Sequence, residues 1–433
     1  MELINKISIV GKNILSNQGI NTAFYILPLT NFNVISEEGR ESSISLLSTM
    51  FSTLALQRPG VCFTIERCNK KIEKLSVYNN LLDTIRLYDK DFDMPPEFTN
   101  RIFSTNQEYA LLGVNIPNRR QIDVDEDAVG KTFKELLKRT KNWVLQIDDD
   151  SLDNEELIKE EENIFNLLRT YCVRASKELV FYHYVSKLFP GYSISYDSGA
   201  FFEDENLNRV LGYLNQTIKD EYGHFVMHNE GITFFGDEED MQQDVYGCIL
   251  KVSSLPVVVD VANNGIHHKG LQVNVRTLPI DKAKLKVKRK RGAAGGELTE
   301  AFDAAEKLES VVSRENVKEL KETITVANRA MDDIENGLVP CEFNASILVL
   351  GKDKQDLKRN VQATINELKN RNIVAVKSLN QAEDFIYGYL KLNPTNYNQF
   401  ASIDYILSFQ LTHGSMVGDY DADHSVPAIG SDI

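Results

Sequence analysis

Apolar positions in the first part of the chain switch between two periods. TAFYILPLT (22–30), VCFTIE (61–66) and EYALLGVNIP (108–117) are short β-rich apolar runs, which predicts strands. Ile44, Leu47, Phe51 and Leu54 recur at helical spacing, and Arg58-Pro59-Gly60 stops that helix. Ile72, Leu75, Tyr78, Leu82 and Ile85 predict a second helix. Residues 128–143, with Phe133, Leu136 and Leu137 on one face, predict a third. Strands alternating with helices give an α/β lobe over residues 1–146.

Residues 147–163 are strongly acidic and read as an exposed connector followed by a helix, capped by Ser151, Asp153 or Asn154. Leu157, Ile164, Phe165 and Leu168 form its apolar face, and its acids read as a solvated face at a favourable N-terminus. A calcium loop would need alternate acids around a central glycine, and none is there. A middle α+β lobe then covers 151–291. It has an apolar helix over 177–189, a helix over 206–219, and strands in 224–236, 244–260 and 270–278. KLKVKRK (284–290) alternates Lys with apolar residues and reads as a strand edge. GAAGG (292–296) reads as a flexible boundary.

The third lobe covers 297–410. Two apolar stripes, Leu298 to Val312 and Leu320 to Ile334, predict a long helical stretch with a break near 313–316, ended by Gly337. PCEFNASILVLG (340–351) predicts a strand, Asp353 caps a helix with Leu357, Val361, Ile365 and Leu368 inward, and IVAVKSL (373–379) is the return strand. Gln381 to Leu390 predicts a helix, and ASIDYILSF (401–409) a shorter element of either type. Residues 411–433 read as a linker. The expected fold class is α/β (α+β), in two to three lobes with mixed sheets.

The 433 residues carry 48 Lys+Arg and 63 Asp+Glu, a formal net charge of −15. That sign disfavours a protein that coats nucleic acid. The length favours more than one core. Cys62, Cys68, Cys172, Cys248 and Cys341 are too few and too scattered for a disulfide framework, which points to a reducing compartment.

Gly130-Lys131-Thr132 resembles the end of a phosphate loop, but Asp125 stands where that loop needs its first glycine, and Glu126 and Asp127 follow. Gly351-Lys352 is a lone glycine before a capped helix, and GAAGG lacks a dinucleotide fingerprint. His224 and His228 alternate on a strand and lack the zinc-protease glutamate, His267-His268 lie in a turn, and Cys62 and Cys68 lack a second pair. No catalytic, cofactor-binding or metal-binding residue is therefore expected in this chain. Lys284, Lys286, Lys288, Arg289, Lys290 and Arg291 oppose the global charge. They suit a solvated strand end, a membrane or partner contact, or, without interleaved aromatics, a weaker nucleic-acid contact.

Several segments in one order carry a resemblance. They are EYALLGVNIP, the helices of 156–191, EGITFF (230–235), VSSLPVVVD (252–260) and residues 352–394. Gln381, Phe385 and Pro394 follow a loose Gln…Phe…Pro spacing, with Asn393 between Leu392 and Pro394. Over roughly residues 20 to 433 the chain resembles the N-terminal, non-motor half of the large cytoplasmic ATPase of type IV secretion and conjugation systems, in its Gram-positive form. The resemblance implies a docking and assembly region, cytoplasmic and peripheral on the inner membrane face. Its partners would be channel subunits, with self-association into a hexamer where a motor domain is present. ATP and Mg would belong to a RecA-like motor downstream, and the chain ends as though cut before it. The alternatives are a stand-alone ATPase or hydrolase with a divergent site, and a DNA-contacting accessory protein.

Overall fold

The computed structural model describes residues 7–17, 20–30, 36–71, 106–116, 154–188, 190, 225–228, 231–234, 244–254, 271–307, 314–370, 373–397, 399–407 and 411–412. The helices expected over 72–85, 128–143 and 206–219 lie outside the described residues, as does nearly all of the linker.

The chain begins with the hairpin β1 (Ile7–Val10) and β2 (Ile14–Asn17), followed by β3 (Ile20–Leu27). Helix α1 (Glu37–Gln57) leads to β4 (Cys62–Lys71) and β5 (Asn106–Ile116). Next come α2 (Asn154–Leu168), the short β6 (Val173–Arg174) and α3 (Lys177–Leu188). Four strands follow: β7 (Phe225–His228), β8 (Gly231–Phe234), β9 (Val245–Ser254) and β10 (Gln272–Thr277). Two long helices, α4 (Ile280–Lys307) and α5 (Arg314–Glu335), precede β11 (Pro340–Gly351), α6 (Lys354–Asn370) and β12 (Val374–Lys377). One turn of α7 (Gln381–Glu383) widens into a π-helix over Asp384–Leu390, and β13 (Gln399–Ser402) and α8 (Ile403–Leu407) follow.

These strands form one 13-stranded sheet in the order β1-β2-β3-β5-β4-β10-β11-β9-β8-β7, with β6 on β3, β13 on β11 and β12 on β9. Among the described residues every pairing is antiparallel, where mixed sheets were expected. The reason lies in the crossovers. In β3-α1-β4 and in β11-α6-β12 the outer strands run parallel, but an antiparallel strand, β5 or β9, occupies the space between them. The stretches read as lobes 1–146, 151–291 and 297–410 all contribute to this sheet, since β10 sits between β4 and β11.

Strand alternation divides the core. Phe63 and Ile65 of β4, Val273 and Val275 of β10, and Phe343, Ala345 and Ile347 of β11 face the larger cluster. Leu47, Met50, Phe51 and Leu54 of α1 cover it with α2, α6 and α8, and Phe51 stacks on Phe63 with centroids 4.5 Å apart. The opposite face is covered by α3 and by Phe385, Tyr389 and Leu390 of the π-helix.

Two local expectations are corrected. KLKVKRK and GAAGG lie inside the continuous helix α4, not on a strand edge and a boundary. Ala283 and Val287, four apart, pack against Ala327 and Ile334 of α5, whereas Leu285, which a strand would place beside Val287, is 50% exposed. The acidic face of α2 is not wholly solvated either. Glu161 is buried and accepts hydrogen bonds from Asn13 Nδ2 (3.1 Å), Tyr25 Oη (3.0 Å) and Arg174 Nε (2.9 Å). That set ties the β1–β2 turn, β3, α2 and β6 together.

Candidate functional sites: a buried polar cluster and a basic helix

The second face of the sheet is polar at its centre. Thr64 and Glu66 of β4 and Gln272 and Asn274 of β10 all point there and are buried. Helix α3 sends Lys187 into this layer. Its Nζ donates to Glu66 Oε2 (2.6 Å), Gln272 Oε1 (2.8 Å) and the Tyr389 carbonyl (3.1 Å), and lies 4.5 Å from the Tyr389 ring centroid. The π-helix supplies the remaining acceptors. The Gly388 carbonyl accepts from Gln272 Nε2 (2.7 Å) and Asn274 Nδ2 (3.2 Å). Wide helical turns leave carbonyls without the usual partner, and here amide side chains of β10 take them.

One turn before Lys187 on α3 is His183, also buried. Its Nδ1 lies 3.5 Å from Cys68 Sγ, and its Nε2 lies 3.5 Å from Glu66 Oε2 without hydrogen-bond geometry. Ligand atoms of Glu66, Cys68 and His183 all fall within 4.8 Å of one another. The connectivity is thiol, imidazole, carboxylate, the order of a nucleophilic triad. The chemistry of such a triad does not follow. Burial, then the nearby Glu66 charge, raises the Cys68 thiol well above its usual range. Burial, then the Lys187 charge, holds the His183 imidazole well below its own. The proton therefore stays on sulfur, where a thiolate nucleophile needs an electropositive site that lowers its pKa.

Cys68 was weighed in the sequence only with Cys62, and Glu66, His183 and Lys187 were missed there, yet each left a trace. Glu66 is the one charge in VCFTIE, and His183 and Lys187 stand four apart in an otherwise apolar helical run. A charge inside an apolar element needs a buried partner. What the sequence lacked was the pairing of β4 with β10, which puts Glu66 beside Gln272.

The basic residues occupy the first half of α4. Lys288, Arg289 and Arg291 are exposed and Lys284 is half-buried. Lys286 is paired with the buried Glu342 of β11, which also accepts from Arg276 Nη2 (2.5 Å), and Arg291 Nη1 donates to Asn328 Oδ1 (3.4 Å). Of Lys290 only the backbone placement in α4 is described.

Gly351-Lys352 forms the turn into α6. Asp353 Oδ1 accepts from the amides of Gln355 and Asp356 (2.8 Å each), and Asp356 Oδ2 accepts from the Lys352 amide (2.9 Å). Those amides are capped by carboxylates, which leaves them unavailable to a phosphate. A Cβ on Gly351 would stand 2.4 Å from the Leu357 nitrogen, so the close turn requires glycine. Gln381 is buried and bonded to the backbone of β9 at Ile249, and Phe385 packs edge-on to Phe234 with centroids 5.5 Å apart. Cys62 is partly exposed and the other four cysteines are buried, all as thiols. His228 ends β7, while Gly130-Lys131-Thr132, His224, His267 and His268 lie outside the described residues. Among the described residues no helix is long and apolar enough to cross a membrane.

The architecture defines an α/β chain built on one large antiparallel sheet, with a buried polar cluster on one face of it. Residues 299–393 match the model of the CagE, TrbE, VirB family, described as a component of type IV transporter system. No curated protein matches the chain. The matched segment runs from within α4 to three residues past the π-helix and contains Gln381 and Phe385. The match supports a component of a type IV transport system.

Proposed function

We propose that this chain is the docking and assembly region of a type IV secretion or conjugation ATPase, of the form found in Gram-positive elements. The match over residues 299–393 carries the reading. In this reading the chain sits on the cytoplasmic side of the inner membrane as a peripheral protein. It contacts channel subunits and enters a hexamer through a motor domain elsewhere. ATP and Mg act in that motor, and this chain alone does not turn ATP over.

The exposed cations of α4 are the proposed membrane contact. Lys288, Arg289 and Arg291 stand together on a chain whose net charge of −15 would otherwise be repelled by anionic lipid. Three such side chains contribute about 3 kcal/mol at an anionic surface, at about 1 kcal/mol each. Flotation with phosphatidylglycerol vesicles tests this. The chain is expected to float with anionic vesicles, not with phosphatidylcholine alone, and the triple Gln variant at 288, 289 and 291 to stay behind. Equal flotation of the variant would overturn the contact. Mg-dependent ATP turnover by the purified chain would overturn the division of labour.

A further inference from the structure

We propose that the outer edge of β12 is a docking site for an extended segment of a partner protein, one that alternates acidic and apolar residues and joins the sheet as a further strand. Such a site would give the docking role proposed above its surface. It rests on that reading for the existence of a partner, and on the sheet for its geometry.

The register shows which backbone groups are open. Strand β9 meets β11 along one side, while on its other side residues 245–247 pair with β8 and residues 250–254 with β12. Strand β7 extends the sheet beyond β8, and among the described residues no strand extends it beyond β12. The position after Lys377 and Leu250 in this register joins Ser378 to Ile249, whose carbonyl accepts the Ser378 amide at 3.0 Å. Bonded and non-bonded positions alternate along an antiparallel pair. Val376 therefore turns its amide and carbonyl toward β9, and Ala375 and Lys377 turn theirs outward. The extra residue at the irregularity beside Val374 is Ser253 of β9, so β12 keeps its own alternation.

Side chains and charge choose the occupant. A strand edge is normally blunted by charges, proline or a cover, and β12 carries Lys377 as its one charge. Val374 and Val376 share a face and are 51% and 49% exposed, and Leu379 just beyond is wholly exposed. Ala375 and Lys377 lie on the other face, on which α6 packs. Residues 352–377 hold seven basic and three acidic side chains, on a chain whose net charge is −15. Asp353 and Asp356 are taken up in capping α6, whereas Lys354, Lys358, Lys369 and Lys377 are exposed and form no ion pair among the described residues. In a strand laid along this edge, residues opposite Ala375 and Lys377 stand on the lysine side, which suits acids, and the residue opposite Val376 stands on the valine side, which suits an apolar group. Main-chain bonds give strand addition its affinity, and alternate side chains its specificity.

The test is binding of a labelled, end-capped octapeptide of alternating Glu and Val to the full chain, read by fluorescence anisotropy, with residue-resolved amide exchange on the same sample. Saturable binding is expected, with slower exchange at Ala375 and Lys377 and none at Val376, whose amide is already bonded within the sheet. The same peptide with Lys for Glu should not bind. Methylating the Glu amides, which face β12, should weaken binding about tenfold or more, and methylating the Val amides, which face away, should leave it unchanged. These peptides probe the unaltered protein. Lys377→Pro removes one outward amide while keeping the bonds to β9, as proline at a strand edge allows, and should weaken binding likewise. Absence of saturable binding, equal binding of the two methylated peptides, or equal binding of the Lys peptide would each overturn the site. Self-association of the chain that Lys377→Pro abolishes would assign the edge to a second copy and overturn the choice of partner. Peptide binding by a chain that captures no channel subunit would count against the docking role and for the edge, so the two readings fail separately.

Discussion

The side-chain amide of Gln381 completes the backbone pairing of Ile249. Gln381 Oε1 accepts from the Ile249 amide at 2.7 Å, and Nε2 donates to the Ile249 carbonyl at 3.0 Å and to the Ser378 carbonyl at 2.9 Å. Ile249 falls between the part of β9 paired with β8 and the part paired with β12. The glutamine therefore stands in for a strand residue at the gap. Gln381→Leu would leave the buried Ile249 amide and the Ser378 carbonyl short of partners, while the Ile249 carbonyl keeps the Ser378 amide at 3.0 Å. A loss of about 2–4 kcal/mol is expected, at about 1–3 kcal/mol per unsatisfied buried group. Denaturant unfolding measures it, and a change under 0.5 kcal/mol would contradict the role.

The Lys187–Glu66 pair gives an asymmetric prediction. Lys187→Met strands a buried carboxylate and should cost about 3–5 kcal/mol, while the double variant Glu66→Leu with Lys187→Met should recover most of that loss. Thermal unfolding of the two single variants and the double variant closes the cycle. Recovery of less than half would mean that the hydrogen bonds to Gln272 and Tyr389, not the charges, hold α3 to the sheet.

His183 predicts an acid-side weakness. Its folded pKa is depressed by burial, with Glu66, Lys187 and Cys68 as its titratable neighbours. The unfolded chain binds a proton near its ordinary pKa of about 6.5 and the folded chain does not. Stability is then fully present above about pH 6.5 and falls as pH drops through it, by at most about 1.4 kcal/mol per pH unit for one proton. Unfolding free energies from pH 7.5 to 5 should show that slope, and His183→Asn should flatten it. The same slope in the variant would assign it elsewhere.

Helix α4 carries Gly292, Gly295 and Gly296 in its interior, and a Cβ on any of them would meet nothing within 4 Å. Alanine has room at each site and a better helix propensity by about 0.8–1.0 kcal/mol. The triple alanine variant should slow amide hydrogen exchange over residues 288–300 and leave the rest of the chain unaffected. Faster exchange there would show that the glycines serve a packing need.

Much of the element order was readable because it rests on local spacing. Phe51 and Leu54 of α1, the Asp353 cap of α6 and the apolar run of β11 follow from periodicity and capping alone. The four-residue hairpin β1–β2 was not, since strands that short barely register as a pattern, and its turn depends on Gly11 at φ 61°. The π-helix was read as an ordinary helix, because the wide turn is stabilised by Gln272, Asn274 and Lys187 from distant elements.

Sequence by itself determined the period of most long elements and which apolar residues seek burial, because propensity and side-chain spacing are local properties. Tertiary structure decided two further things. It paired strands from distant stretches of the chain into one antiparallel sheet, because pairing joins residues more than 200 positions apart, as at Thr64 and Asn274. It also decided which charges are structural. Glu161 looks like any surface charge in one dimension, and Glu66 and Lys187 show there only as charges within apolar runs, with no partner named. They become buried partners only when β4, β10, α2 and α3 close over them, since a charge leaves water only where a fixed partner replaces it.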